Sequence, residues 1–405
     1  MNKRVRIFLI SISCALLFYV ALGGVLGKGN SSTEKTYRDL GVYTEVLSRI
    51  KTDYVTEPNL KKVTGGAIRG LLESLDPYST YFTPQEYQDY LAHPDPGPAD
   101  VGIFISKKMG FATVVSVLPG SPAEKAGIKA GDLIDRVESS PARELSVVQI
   151  ERMLAGPMGT SVTIAVVKEA QGEPQKMTLQ RVPLAYPGVV ANMVDGNTAY
   201  LRVATFNKGI SAEISRKLNE LIASHADKVV LDLRNCAGGD VDEAVQTASL
   251  FMDKGLVTYA QGQRYPRQEF PAKPAGAVVK LPLAVLINQS TAGPAELVAS
   301  AVLGNHRGDV VGVRSFGEGV VQKTIPVGDG SGLLLSVAKY YGSDGKAIND
   351  NGVTPNVIES SRSESASLDE DNSSQGSEHF GDKDDRQLQK AIEVLKQAAA
   401  PAKAA

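Results

Sequence analysis

The sequence predicts a mixed α/β (α+β) protein with a small helical N-terminal domain, a strand-rich middle domain and an alternating α/β core. Three observations carry this. Apolar residues recur at helical spacing between residues 40 and 75, short runs of branched residues take over from 101, and strands alternate with helices between 195 and 358. At 405 residues and 42% hydrophobic content, the chain is long enough for two or three compact domains. A net charge of −2 without any basic stripe excludes nucleic acid as an expected partner. Tryptophan is absent, so stacking platforms for bases or sugars are not expected, and the two cysteines, Cys14 and Cys236, offer no disulfide framework.

Lys3, Arg4 and Arg6 precede an uncharged run from Ile7 to Gly27 that Lys28 ends. A positive leader before an apolar segment of about 20 residues reads as a signal peptide or a signal anchor over 1–28. Ala21 and Gly23 are small residues suited to a cleavage site, and Cys14 reads as one more apolar residue of the run. Under both alternatives the positive-inside rule places the remainder outside the cytoplasm, on the periplasmic side of a cell envelope, membrane-anchored or secreted.

Residues 29–98 form the expected helical domain. Leu40, Tyr43, Leu47, Ile50 and Tyr54 repeat at spacings of three and four and predict one helix; Leu60, Val63, Ala67, Leu71 and Leu75 predict a second, ending before Asp76-Pro77. Thr83-Pro84-Gln85-Glu86 is a capping box with proline at the first helical position, and opens a short third helix. Residues 92–100 are a linker by composition.

The span 99–170 changes period. Val101–Ile105, Phe111–Leu118, Asp132–Val137 and Ser161–Lys168 read as strands. Ser121-Pro122-Ala123-Glu124 opens a one-turn helix with a capping box, stopped by Gly127, and Ser146 with Gln149 caps a helix running to Leu154. In the core, 171–358, strands Thr198–Val203, Lys228–Leu233, Leu283–Ile287 and Asp309–Val313 alternate with helices Ala212–Ala223, Val241–Met252 and Glu296–Leu303, which predicts a partly parallel sheet. Residues 359–383, rich in Ser, Asp and Glu, read as a disordered acidic linker, and 384–405 as a final helix carrying Leu388, Ile392 and Leu395, with a tail.

Val101-Gly102-Ile103-Phe104-Ile105, then Gly120-Ser121-Pro122-Ala123-Glu124-Lys125-Ala126-Gly127-Ile128, then Gly131-Asp132-Leu133-Ile134 resemble a PDZ domain. Such a module binds peptides by presenting the backbone N–H groups of a turn to a terminal carboxylate, pairing a strand edge with the ligand and offering a side-chain pocket beside a helix. Val101, Gly102 and Ile103 are the expected carboxylate turn and edge, and Ile150 and Leu154 the expected pocket lining. Asp100 stands where the family often has a second glycine, and a negative side chain there opposes a carboxylate. The plain alternative is a buried strand and a core isoleucine.

From Asp39 onward the chain resembles the carboxyl-terminal processing proteases, serine proteases with a PDZ domain inserted before the catalytic core. The residues concerned are Leu75-Asp76-Pro77-Tyr78-Ser79 (tyrosine where histidine is usual), Val230-Leu231-Asp232-Leu233-Arg234-Asn235 with Gly238-Gly239, Ser315-Phe316-Gly317, Gly319, Val321-Gln322 and Gly352-Val353-Thr354-Pro355-Asn356. The resemblance implies a crotonase/ClpP-like core, a serine nucleophile, a lysine base and a nearby glutamine. A lysine serves as base at neutral pH only if burial lowers its pKa. Here the nucleophile run reads Thr291-Ala292-Gly293-Pro294-Ala295-Glu296 and the base run Phe316-Gly317-Glu318-Gly319. The resemblance therefore equates Gly293 with the nucleophile, Glu318 with the base and Gln322 with the glutamine. It places the oxyanion loop at Gly238 and Gly239, with one further donor at residue 294, where Pro294 has no N–H.

Ser290, Thr291 and Ser315 lie near in sequence, without a visible base: Lys323 follows Gln322 on an expected strand, and His306 falls on an expected helix–strand turn. His93, His225, His306 and His379 are scattered without metal-ligand spacing, so neither metal nor cofactor is expected. Cys236 reads as a free, half-buried thiol, with a cryptic nucleophile as the alternative. The expectation is a cell-envelope pseudoprotease that binds C-terminal tails of other proteins as adaptor, chaperone or regulator. Its rivals are an endopeptidase with a displaced serine and a structural scaffold paired with an active homologue.

Overall fold

The computed structural model describes residues 31–168, 172–361 and 380–399. The expected leader at 1–28 lies outside these residues, and so does most of the acidic linker. Among the described residues no helix is long and apolar enough to cross a membrane.

The chain divides into two units between Ile68 and Arg69. Helix α1 (Ser31–Asp53) has Tyr43, Leu47 and Ile50 of the expected face half-buried, whereas Leu40 is exposed and Tyr54, also exposed, lies past its end. Helix α2 (Leu60–Glu73) turns Leu72 inward and leaves Leu71 and Leu75 exposed, against the expected apolar face. The expected all-helical domain 29–98 is divided. Residues from Arg69 belong to the larger unit, and Thr80–Phe82 form strand β1, paired antiparallel with a core strand 250 residues on. Helix α3 (Pro84–Ala92) begins at the predicted box, Thr83 N–H donating to Glu86 Oε2 at 2.8 Å.

The PDZ module runs β2 (Ile103–Lys108), β3 (Phe111–Val117), α4 (Pro122–Lys125), β4 (Leu133–Val137), β5 (Ser140–Pro141), α5 (Val147–Leu154), β6 (Ser161–Val167) and β7 (Gln175–Gln180). Its antiparallel sheet has the order β2-β3-β4-β6-β7, with β5 on β4. Ser146 and Gln149 complete their reciprocal box, at 2.9 and 3.3 Å. Ser121 caps Glu124 N–H, but the Glu124 carboxylate accepts from Gly120 N–H at 2.6 Å instead of closing the expected box. β7 carries this sheet past the expected boundary at 170.

The core continues with β8 (Val190–Val194), β9 (Thr198–Arg202), α6 (Ile210–Ala223), β10 (Lys228–Asp232), α7 (Val241–Ser249), β11 (Leu256–Gln261), β12 (Gln268–Pro271), β13 (Leu283–Ile287), α8 (Pro294–Gly304), β14 (Asp309–Gly312), β15 (Val320–Pro326), β16 (Gly332–Tyr341), β17 (Val357–Ile358) and α9 (Arg386–Ala399). One sheet has the order β17-β14-β13-β10-β9-β8, parallel except for β8. Every residue of β10 and β13 is buried, as apolar strands covered on both faces require. One cluster packs Ile214, Leu218 and Val298 from α6 and α8 against Leu231 and Val285. The other packs Leu388, Ala391, Ile392 and Leu395 of α9 against Val230, Ala284, Leu286 and Val311. A second, antiparallel sheet has the order β1-β16-β11-β12, with β15 on β16.

Helix α9 is pinned by a buried ion network. The Arg234 side chain is 2% exposed and its partners Asp232 and Asp385 are 0% and 5% exposed. Arg234 Nε donates to Asp232 Oδ1 (2.9 Å), and Nη1 donates to Asp385 Oδ1 (2.8 Å) and Gln387 Oε1 (3.1 Å). Tyr200 Oη donates to Asp232 Oδ2 at 2.7 Å, and the Phe380 ring lies 4.4 Å from the Arg234 guanidinium. Phe380 to Lys383, expected within a disordered linker, are thus part of this docked segment.

Candidate active site

Parallel strands aim their C-terminal ends at one edge of the sheet, where α/β proteins bind ligands. Three loops leave the neighbouring strands β10, β13 and β14 at that edge: residues 233–240, 288–293 and 313–319. They are stitched together. Asn235 N–H donates to Asn288 Oδ1 at 3.0 Å and Asn288 Nδ2 to Asn235 Oδ1 at 2.7 Å; Ala292 N–H donates to the Cys236 carbonyl at 2.9 Å. Phe316 N–H donates to the Thr291 carbonyl at 2.9 Å.

Gly293 sits at the N-cap of α8 with φ 62° and ψ −124°. This is the sharp strand–turn–helix corner that exposes a nucleophile in other hydrolase folds. Side chains rarely adopt it, yet a Cβ at this position would meet nothing within 4 Å. The space for a side chain is present and the side chain is not. Pro294 occupies the first helical position, so that turn of α8 lacks one N–H.

Glu296, fully buried, ties the two runs together. Its carboxylate accepts from Gly293 N–H (3.0 Å), Ser315 Oγ (2.5 Å), Gly317 N–H (2.8 Å) and Glu318 N–H (2.8 Å). Burial pushes its carboxyl up to about 8, against the pull of those four donors. Ser315 is thereby consumed: its hydroxyl donates to Glu296 and accepts from Val353 N–H at 2.6 Å.

Glu318 is half-buried, and desolvation pushes its carboxyl up to about 7. Among the described residues no ion pair reaches it. The unfolded value is 4.5, so the folded state holds the proton more tightly between pH 4.5 and about 7. Its contribution to stability is present below 4.5 and lost as pH rises through the folded value. Glu318→Gln is expected to flatten part of a decline in thermal midpoint over that window; an unchanged slope would contradict the assignment.

Gln322 Nε2 donates to the Tyr78 carbonyl at 2.8 Å, which brings the Leu75–Ser79 run to the site. Tyr78, which no sequence argument singled out for chemistry, is buried, and Ser106 Oγ donates to its hydroxyl at 3.2 Å. Burial, with Glu318 and Glu296, raises that hydroxyl above its ordinary range. Cys236 is fully buried, not half-buried, and burial pushes its thiol far above the range at which a thiolate forms. Ser290 is 9% exposed, and among the described residues no hydrogen bond joins it to Lys323 or His306.

The PDZ module lies over these loops. A Cβ at Gly238 would collide with the Phe104 ring; Val115 packs with Ala237 and Ala292; Ser116 Oγ donates to the Asn235 carbonyl at 2.7 Å. Lys108 Nζ sits 4.9 Å from the centre of the Phe316 ring. An outward apolar residue in an alternating strand, Phe104 between Ile103 and Ile105, is the signal that marks this contact. Val101, Ile103, Ile150 and Leu154 come together in one buried cluster at the seam of β2 and α5. Gly102 has φ 82°, and a Cβ there would strike Ser121, so this turn admits glycine alone. Gly102 N–H donates to Asp100 Oδ1 at 2.7 Å.

The sheet edge, its three loops and the inserted antiparallel module define a PDZ-bearing peptidase scaffold. A family model described as "Peptidase family S41" matches residues 197–358, and a "PDZ domain" model matches 113–168. The chain is 31% identical over 349 residues to the chloroplastic C-terminal processing peptidase of Tetradesmus obliquus, covering 80% of this chain and 75% of that one. It is 29% identical over 368 residues to a carboxy-terminal processing protease of Bacillus subtilis, covering 88% and 78%. A solved photosystem II D1 C-terminal processing protease aligns with TM-score 0.65 at 26% identity, over 78% of this chain and 92% of that one. The chain belongs to the carboxyl-terminal processing proteases.

Proposed function

We propose that the protein is a pseudoprotease of the cell envelope, a family member that holds peptide tails of other proteins without cutting them. The observation that carries this is the corner at residue 293, shaped for a nucleophile and occupied by glycine. Two further features agree with it. Glu318, where the resemblance puts a lysine, has no amine to accept a serine proton, and Pro294 cannot donate to an oxyanion. Losing one such donor lowers rates by about a hundredfold or more, and losing the nucleophile removes the covalent route. The positive leader and apolar run at 1–28 support a position outside the cytoplasm, anchored or secreted. Holding without cutting suits an adaptor, a chaperone or a regulator.

The test pairs binding with product analysis. Purified protein is incubated with unfolded, apolar-tailed polypeptides and the mixture read by mass spectrometry. Tails that are retained while no products appear support the proposal. Cleavage that Ser290→Ala abolishes would replace it with a displaced-serine protease.

A further inference from the structure

We infer that the turn leading into β2 is blind to a free C-terminal carboxylate, because Asp100 already occupies the carboxylate's place, so that a polypeptide held along β2 gains nothing from its terminal charge. This rests on the peptide-holding reading above and adds that a tail is held without help from its terminal carboxylate.

The geometry is direct. A PDZ turn captures a terminal carboxylate with its backbone N–H groups. Here the Gly102 N–H already donates to a carboxylate oxygen of Asp100 at 2.7 Å. Gly102 and its neighbour Val101 are also the amides that favour the ionised form of Asp100, against a burial that raises its carboxyl. An incoming carboxylate therefore finds its donors taken by a group of its own charge.

The turn has no freedom to make room. Its carbonyls are tied, Gly102 O accepting from Leu118 N–H at 2.9 Å and Val101 O from Ala123 N–H at 3.0 Å. Asp100 itself exchanges two backbone hydrogen bonds with Val182, at 3.0 and 3.1 Å.

The surrounding charge points the same way. Glu151, on α5, meets solvent on one side. The protein around it desolvates its carboxyl, and with Glu318 and Asp100 pushes it up to about 7. A further carboxylate beside Asp100 and Glu151 would meet the repulsion that these two already exert on each other. Arg181 is the cation that Asp100 feels, but its guanidinium is spent on the Met153, Leu154 and Ser161 carbonyls and on Thr160 Oγ1, all within 3.0 Å.

What remains for a ligand is the backbone of β2, the edge strand of its sheet. Ile150 and Leu154, the expected pocket lining, are 0% and 1% exposed and pack as core behind it, so they offer no open pocket. A strand edge does not ask for a chain end.

The test is fluorescence anisotropy on the full-length protein with one labelled, unstructured decapeptide ending in valine, made as the free acid and as the C-terminal amide. The wild type is expected to bind the acid no more tightly than the amide. Asp100→Gly, which frees the amides and removes the charge, is expected to bind the acid about tenfold more tightly than the amide. Asp100→Asn keeps the turn and drops the charge, and is expected to fall between the two. Wild-type protein that binds neither peptide, beside an Asp100→Gly form that binds the acid, also supports Asp100 as the occupant. A tenfold acid preference in the wild type overturns the inference, and so do variants that bind both peptides at the wild-type ratio. If no form binds either peptide, the peptide-holding reading fails and this inference fails with it.

Discussion

Gly293→Ser, Pro294→Ala and Glu318→Lys, combined, are expected to produce proteolysis of substrates that the proposed pseudoprotease only holds. The corner is already shaped: φ 62°, ψ −124° and open space for a side chain. Each change supplies one missing part. The hydroxyl provides a nucleophile, the new N–H at 294 an oxyanion donor worth about a hundredfold to a thousandfold in rate, and the amine a base. Desolvation, which raises the Glu318 carboxyl, would lower a lysine at the same place, as a base at neutral pH requires. Gly293→Ser alone is expected to stay inactive and to lose about 1–3 kcal/mol of stability, because serine tolerates that backbone less well than glycine. The readout is mass spectrometry of an unfolded substrate together with fluorophosphonate labelling at position 293. A folded triple variant that neither labels nor cuts would show that the loops do not hold a catalytic geometry.

Arg234→Met is expected to lower stability by about 3–5 kcal/mol, since it leaves Asp232 and Asp385 buried without their cation. Equilibrium urea unfolding measures it, and a loss below about 1 kcal/mol would mean that the network is not what holds α9. Proton linkage gives a second signature. Burial raises Asp385, yet the bonds from Arg234 outweigh it and hold the carboxyl below its usual range. A depressed carboxyl stabilises above its unfolded value of 3.8, and that stability fades as pH falls through the folded value. The acid-side loss due to Asp385 should shrink in Arg234→Met.

Local signals carried much of this molecule. The boxes at Thr83 and Ser146 start helices where predicted, and Leu283–Ile287 is a strand to the residue. Periodicity reports how one element is buried and is silent on which element buries it. β1 is three residues long and gains meaning only from a partner near Leu334. β7 has a largely exposed, polar pattern that reads as loop. Asp100 is the clearest case. Its charge showed in the sequence as a repellent, while its hydrogen bond to the very turn it guards depends on a backbone geometry that composition does not encode.

The position of α9 bears on how the chain matures. Tyr200, Val230, Ala284, Leu286 and Val311 form an oily wall that this helix covers with Leu388, Ala391, Ile392 and Leu395, beside Val194 and Val357. A polypeptide broken off anywhere before Arg386 would finish with that wall bare, a surface that invites clumping and quality-control proteases. Sealing of the sheet is thus deferred in synthesis: one of its faces stays open until residues 386–399 have emerged and docked.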